Sequence, residues 1–178
     1  MSAFYKRFRN LICAFIYDNS NLLFYLMYRN DFWKLRLALN NKNNWFRKSL
    51  YYSVLQTNNS WISEEAKIES MPIFPHGLNG IFISKNAIIG KNCVIFQQVT
   101  IGSNTSVGSR NGSPTIGDNV YIGSGAKIIG PVNIGDGCRI GANAIVTCDV
   151  PPNSVCVMRG LDIITRDYTM DNTFISPQ

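Results

Sequence analysis

The chain has a single histidine, His76, set in the run Phe74-Pro75-His76-Gly77-Leu78-Asn79-Gly80. A near-neutral imidazole can accept and return a proton at pH 7, so a transfer reaction with one base is within reach. Any site that needs two or three imidazoles is excluded. The five cysteines are odd in number, widely spaced and without a CxxC pair. That spacing argues against both a disulfide framework and a zinc centre, and no metal is expected.

The elements that must position His76 are written in a six-residue period. Ile83, Ile89, Ile95 and Ile101, then Ile116, Ile122, Ile128, Ile134, Ile140 and Val146, recur in phase. Four places after nine of these ten comes a small or apolar residue: Ala87, Cys93, Val99, Val120, Ala126, Val132, Cys138, Ala144 and Val150. Neither a helical nor a simple strand period accounts for six. A short strand and a sharp turn per hexapeptide does, with the aliphatic inward and Gly or Asn/Asp in the turn. Three units close a triangular coil of 18 residues, and coils stack through parallel strand pairing. The register extends back through Ile62, Ala66 and Ile68, which makes about five coils over residues 61–157. Cys93 and Cys138 take the inward small position, Cys156 is expected to continue it, and Cys148 falls in a turn. Their expected role is packing.

Two breaks interrupt the period. Fifteen residues separate Ile101 from Ile116, so residues 103–114, polar and rich in Gly and Ser, are expected to form an extruded loop. Nine separate Phe74 from Ile83, which widens the His76 corner and lengthens that coil to 21 residues. His76 and Gln97, 21 apart, are then expected to stack on one corner of adjacent coils.

The run Phe74 to Ile83, followed by Ile95-Phe96-Gln97-Gln98-Val99-Thr100-Ile101-Gly102, resembles the hexapeptide-repeat acyltransferases of the serine acetyltransferase branch. It looks closer still to their relatives that O-acetylate sugars in polysaccharide biosynthesis. Tyr121 to Gly130 and Ile140 to Val146 match the same family, and the likeness covers residues 61–157. The resemblance implies a left-handed parallel β-helix, a homotrimer, and acetyl-CoA as co-substrate. It implies His76 as general base, with Gln97 in support and backbone N–H groups near Thr100–Gly102 as oxyanion donors. It also implies a groove between neighbouring subunits in which Gly102, Ser124, Ala142 and Thr147 contact the pantetheine arm. Arg159, with Arg166, is the expected substitute for the family's phosphate contacts.

Three departures from the serine acetyltransferase pattern bear on the acceptor. That pattern has an Asp fifteen residues before the His, where Trp61 stands, and another immediately before it, where Pro75 stands. It has an Arg-His pair near the loop's end, where Gly112-Ser113 stands. Glu64 and Glu65 are the sequence neighbours that could polarise His76 instead. With these groups missing, the expected acceptor is a hydroxyl of a surface-polysaccharide sugar. Serine, as in cysteine biosynthesis, is the alternative, and a non-catalytic β-helix scaffold is a second one.

Residues 1–60 are a different object. They hold nine Lys/Arg against two Asp, a net +7, whereas residues 61–178 sum to −1. Fourteen of the 21 aromatics precede residue 61, and all 14 glycines follow residue 70. Helices are expected over 3–17, about 21–39 and about 45–56, with Ser20 as N-cap of the second. The expected arrangement is all-β from 61 to 157, with an α-helical region at 1–60 and a tail at 158–178. The basic helices either pack on the β-helix or contact an anionic membrane surface or lipid-linked glycan. No nucleic-acid motif accompanies the charge. No apolar run reaches the length of a membrane span, so the expected location is cytoplasmic, or peripheral at the inner membrane face.

Overall fold

Strands of only two or three residues begin at Trp61, and their short length follows from the hexapeptide period. In the computed structural model, which describes residues 3–28, 31–40, 45–105 and 111–158, they stack into three parallel sheets. One face stacks β1 (Trp61–Ile62), β3 (Phe82–Ile83), β6 (Thr100–Gly102), β9 (Lys127–Ile129) and β12 (Ile145–Val146). The second stacks β2 (Lys67–Ile68), β4 (Ile88–Ile89), β7 (Thr115–Ile116) and β10 (Asn133–Ile134). The third stacks β5 (Val94–Ile95), β8 (Tyr121–Ile122), β11 (Arg139–Ile140) and β13 (Val155–Cys156). Consecutive strands lie on different faces, so each circuit of three makes one coil.

Register pairs the inward aliphatics rung on rung. Ile83 lies on Ile101 and Ile128 on Val146, each pair 18 apart. The periodic positions from Ile83 to Val146 are all buried, and each such side chain contributes about 1.5–3 kcal/mol. The corners use Asn86, Asn92, Asn119, Asn143 and Asn153, all with φ between 55° and 63°. Asn accepts this left-handed conformation at less cost than other residues with a Cβ.

Three coils depart from 18. Ile62 pairs with Ile83 and Ile68 with Ile89, 21 apart, because of the three extra residues near His76. Ile95 pairs with Ile122, 27 apart, because nine extra residues leave the stack after β6. The neck of that loop is closed by an antiparallel pair, Asn104 with Gly112, and by a Ser103–Ser113 hydroxyl contact of 2.9 Å. The last coil is short: Ile140 pairs with Cys156, 16 apart. Cys156 therefore occupies the strand position opposite Ile140, not the small-residue corner expected from the period. Ile134 already bridges Val150, 16 apart, whereas Ile128 still pairs with Val146, 18 apart. The two residues are therefore lost between Val146 and Val150, and Val150 likewise takes a strand position rather than the small-residue corner.

The helices α1 (Ala3–Asp18), α2 (Ser20–Tyr28), α3 (Phe32–Leu37) and α4 (Trp45–Thr57) cover the first coil. The expected helix over 21–39 is divided. Asp31 is extended and its carboxylate accepts from the Lys34 N–H at 3.0 Å, which caps a new helix at Phe32. Ser20 is buried as the first residue of α2, and Asn19 carries the helical bonding across from Phe15 to Leu23. Leu35, Leu50, Tyr51 and Leu55 form one continuous core with Ile62 and Ile81. Arg36 fastens the two parts: its guanidinium donates to the Tyr51 hydroxyl at 2.7 Å and to the carbonyls of Ser63 and Ala66 at 3.1 and 2.6 Å. The outward side of α1 and α2 leaves Leu11, Phe15, Leu22 and Leu26 exposed. Among the described residues no helix is long and apolar enough to cross a membrane.

Candidate active site

His76 sits at the end of the third face, where Ile73 forms a parallel bridge with Val94. The 21-residue coil therefore brings His76 over Gln97, and the His76 Nδ1 lies 2.7 Å from Gln97 Oε1. An amide oxygen only accepts, so Nδ1 carries the hydrogen and the neutral ring keeps its lone pair on Nε2. The ring is exposed, and its edge packs on Phe96 at 5.5 Å between centroids.

The corner is held by its own backbone. Gly77, at φ +68°, donates its N–H to the Phe74 carbonyl at 3.0 Å, and the Asn79 side chain donates to the His76 carbonyl at 2.7 Å. Gln98 adopts φ +61°, where most other corners place Asn. Its N–H reaches the Asn79 carbonyl at 2.9 Å, and its own carbonyl accepts from Lys127 Nζ at 2.6 Å. A Cβ on Gly80 would come within 3.2 Å of the Gln98 side chain, so glycine permits this approach. Asn79, Gly80, Gln98 and Phe96 thus support the site. The glycines mark the corner in the sequence, whereas the partners of Gln98 become visible only when coils are stacked.

Ser124 and Ala142 continue the column above Gln97. Strand register places them on successive rungs, and the Gly125 N–H donates to the Gln97 carbonyl and the Asn143 N–H to the Ser124 carbonyl. Gly102 and Thr147 do not join them. They lie at the end of the first face, on a different corner, together with Ile129. The Thr100 N–H is bonded to the Ala126 carbonyl at 2.9 Å, so within one protomer it is not a free oxyanion donor. Arg159 and Arg166 lie outside the described residues.

Glu64 and Glu65 are engaged elsewhere. Each makes an ion pair at 2.8 Å, with Lys48 and Lys85 respectively. Trp61, where the family pattern has Asp, stacks on Tyr52 at 4.5 Å and belongs to the packing of α4 on the first rung. Burial pushes the Cys93 thiol up, and its sulfur lies 3.3 Å from the Gly117 carbonyl, the setting of a packed thiol. No group of three or more metal-ligating side chains converges among the described residues. A cavity of about 850 Å³ lies between the helices and the His76 corner, with Phe24, Phe32, Ile73 and Phe74 in its wall and Asn21, Asp31 and Asn58 as its polar groups.

Comparison with known proteins bears on the chemistry. Residues 113–148 match the bacterial transferase hexapeptide (six repeats) family model. A serine acetyltransferase of Mycobacterium tuberculosis is 44% identical over 85 residues, 48% of this chain and 37% of its own. One of Helicobacter pylori is 39% identical over 103 residues, 57% of this chain and 58% of its own. Among solved structures, serine acetyltransferase isoform 3 of Entamoeba histolytica in complex with cysteine superposes with a TM-score of 0.62 at 28% identity, covering 75% of this chain and 47% of that one. The soybean serine acetyltransferase complexed with serine gives 0.59 at 32%, covering 68% and 49%. The chain thus spans about half the length of these solved relatives.

These likenesses overturn the expectation of a polysaccharide-sugar acceptor. That expectation rested on Trp61, Pro75 and Gly112-Ser113 standing where the serine acetyltransferase pattern has charged groups. Yet relatives at 39–44% identity and the structural neighbours are serine acetyltransferases. Residues 113–148 thus carry the bacterial transferase hexapeptide repeat, and the stacked coils around them are similar to those of the serine acetyltransferases.

Proposed function

We propose that the chain transfers an acetyl group from acetyl-CoA to the hydroxyl of serine, with His76 as general base. The observation that carries this reading is the 2.7 Å contact of His76 Nδ1 with Gln97 Oε1 at an exposed corner, which in the neutral ring leaves Nε2 as the basic nitrogen. Nε2 takes the proton from the serine hydroxyl as its oxygen attacks the thioester carbonyl. The tetrahedral oxyanion collapses, the C–S bond breaks, and the departing CoA thiolate recovers the proton from Nε2. The products are O-acetylserine and CoA. Gln97 serves where the family pattern uses a carboxylate: it orients the ring through a neutral acceptor.

The left-handed sense of the coil and the homotrimer belong to the same reading. A neighbouring copy accounts for the two separate corners. Gly102 and Thr147 of one copy would face Gln97, Ser124 and Ala142 of the next across the groove that takes the pantetheine arm. Thiol release from acetyl-CoA with L-serine as acceptor tests the assignment. Wild type should release CoA in a serine-dependent way, and His76→Ala should lower that rate by roughly 10²–10⁴-fold. Undiminished turnover in His76→Ala would remove the base, and release independent of serine would remove the acceptor.

A further inference from the structure

The third face carries, beside the proposed base, a wall of side chains that the proposed chemistry leaves unused. It starts at the His76 ring and continues through Phe96 to Tyr121, whose centroids are 5.1 Å apart. It ends at Arg139, whose guanidinium carbon stands 5.8 Å from the Tyr121 centroid. Arg139 is exposed, and among the described residues it has no carboxylate partner. The other basic side chains of the coils are committed or differently placed. Lys85 and Lys91 pair with Glu65 and Glu69, Lys127 bonds the Gln98 carbonyl, and Lys67 lies on the second face.

We propose that Arg139, seated on Tyr121, binds the phosphate end of CoA. This rests on the reading of the chain as an acetyl-CoA-dependent enzyme and places at Arg139 a phosphate contact that the resemblance had assigned to Arg159 and Arg166, which lie outside the described residues. Arg139 shares its rung with Ala142, three rungs above His76 along the column His76, Gln97, Ser124, Ala142. At about 4.8 Å per rung, that is roughly 14 Å. An extended pantetheine arm whose thioester lies at His76 therefore brings its diphosphate to the level of Arg139. The guanidinium fork suits phosphate oxygens, and the Tyr121 face holds it in place without neutralising it.

Calorimetric titration of the full chain with CoA, and separately with pantetheine, tests this without any acceptor. Wild type should bind CoA more tightly than pantetheine. Arg139→Ala should weaken CoA by about ten- to a hundred-fold and leave pantetheine unchanged. Arg139→Lys should fall between, because it keeps the charge and loses the fork. Equal CoA affinity in wild type and Arg139→Ala overturns the proposal. So does an equal loss for both ligands, which marks a structural role, and Arg139→Gln repeats the comparison should the alanine variant fold poorly. A chain that binds CoA through Arg139 but does not acetylate serine keeps this inference and loses only the acceptor. A wild type that binds no CoA loses both.

Discussion

Gln97 gives His76 a fixed orientation without giving it a charge. A carboxylate partner would stabilise the imidazolium as well as aim the ring, whereas the amide oxygen only aims it. Gln97→Leu should therefore lower kcat by about 10- to 100-fold with little change in the KM for acetyl-CoA. Gln97→Glu retains an acceptor oxygen and should recover most of that loss, and steady-state kinetics on the two variants separates aiming from packing. The pairing itself was legible in the sequence, because counting 21 residues from His76 to Gln97 needs only the period and its one widened corner. Gln98, Phe96 and Arg139 were not legible in the same way. Their contacts run between rungs, to Asn79 and Lys127 in one case and to aromatic faces in the others. A spacing rule states which residues stack, but it does not state which rotamer reaches across.

At the scale of elements, α4 and the first coil are joined through a buried polar knot. Burial pushes the Tyr51 phenol up to about 12, against the pull of the Arg36 cation beside it. A folded state that holds this proton more tightly than the unfolded chain gains stability that is fully present below about pH 10. That gain is lost as pH rises toward 12. Tyr51→Phe removes the acceptor for Arg36 and the donor to the Ile62 carbonyl. It should cost about 1–3 kcal/mol at neutral pH. It should also flatten the fall in stability between about pH 10 and 12, which thermal melts across that range would measure. Composition separated the helices from the coils, but it did not place the break between α2 and α3. That break depends on Asp31 preferring to cap rather than to continue a helix. The short final coil was hidden for a similar reason, since Val150 still reads as the small residue four places after Val146 until its bridge to Ile134 and the pairing of Ile140 with Cys156 are seen.

Across the whole molecule, a stack of coils has two open ends, and the helices close one of them. The first rung, Trp61–Ile62, would otherwise present unpaired backbone and an apolar interior to solvent. A chain beginning at residue 58 should therefore associate into large oligomers, which size-exclusion chromatography would show, while the full chain should not. The +7 charge of residues 1–60 belongs to this closing element, and the coils bearing His76 are nearly neutral. Nothing in their overall charge draws an anionic co-substrate, so attraction has to come from a locally placed group such as Arg139. Its position has a further consequence. Distance along the column changes only in whole rungs, so the spacing of His76 and Arg139 acts as a ruler graduated in single coils. Adding or removing one coil between Gln97 and Ala142 would leave every corner intact and yet mismatch the arm it measures. A periodic scaffold of this kind can change which thioester donor it accepts by length alone, with no substitution in the site.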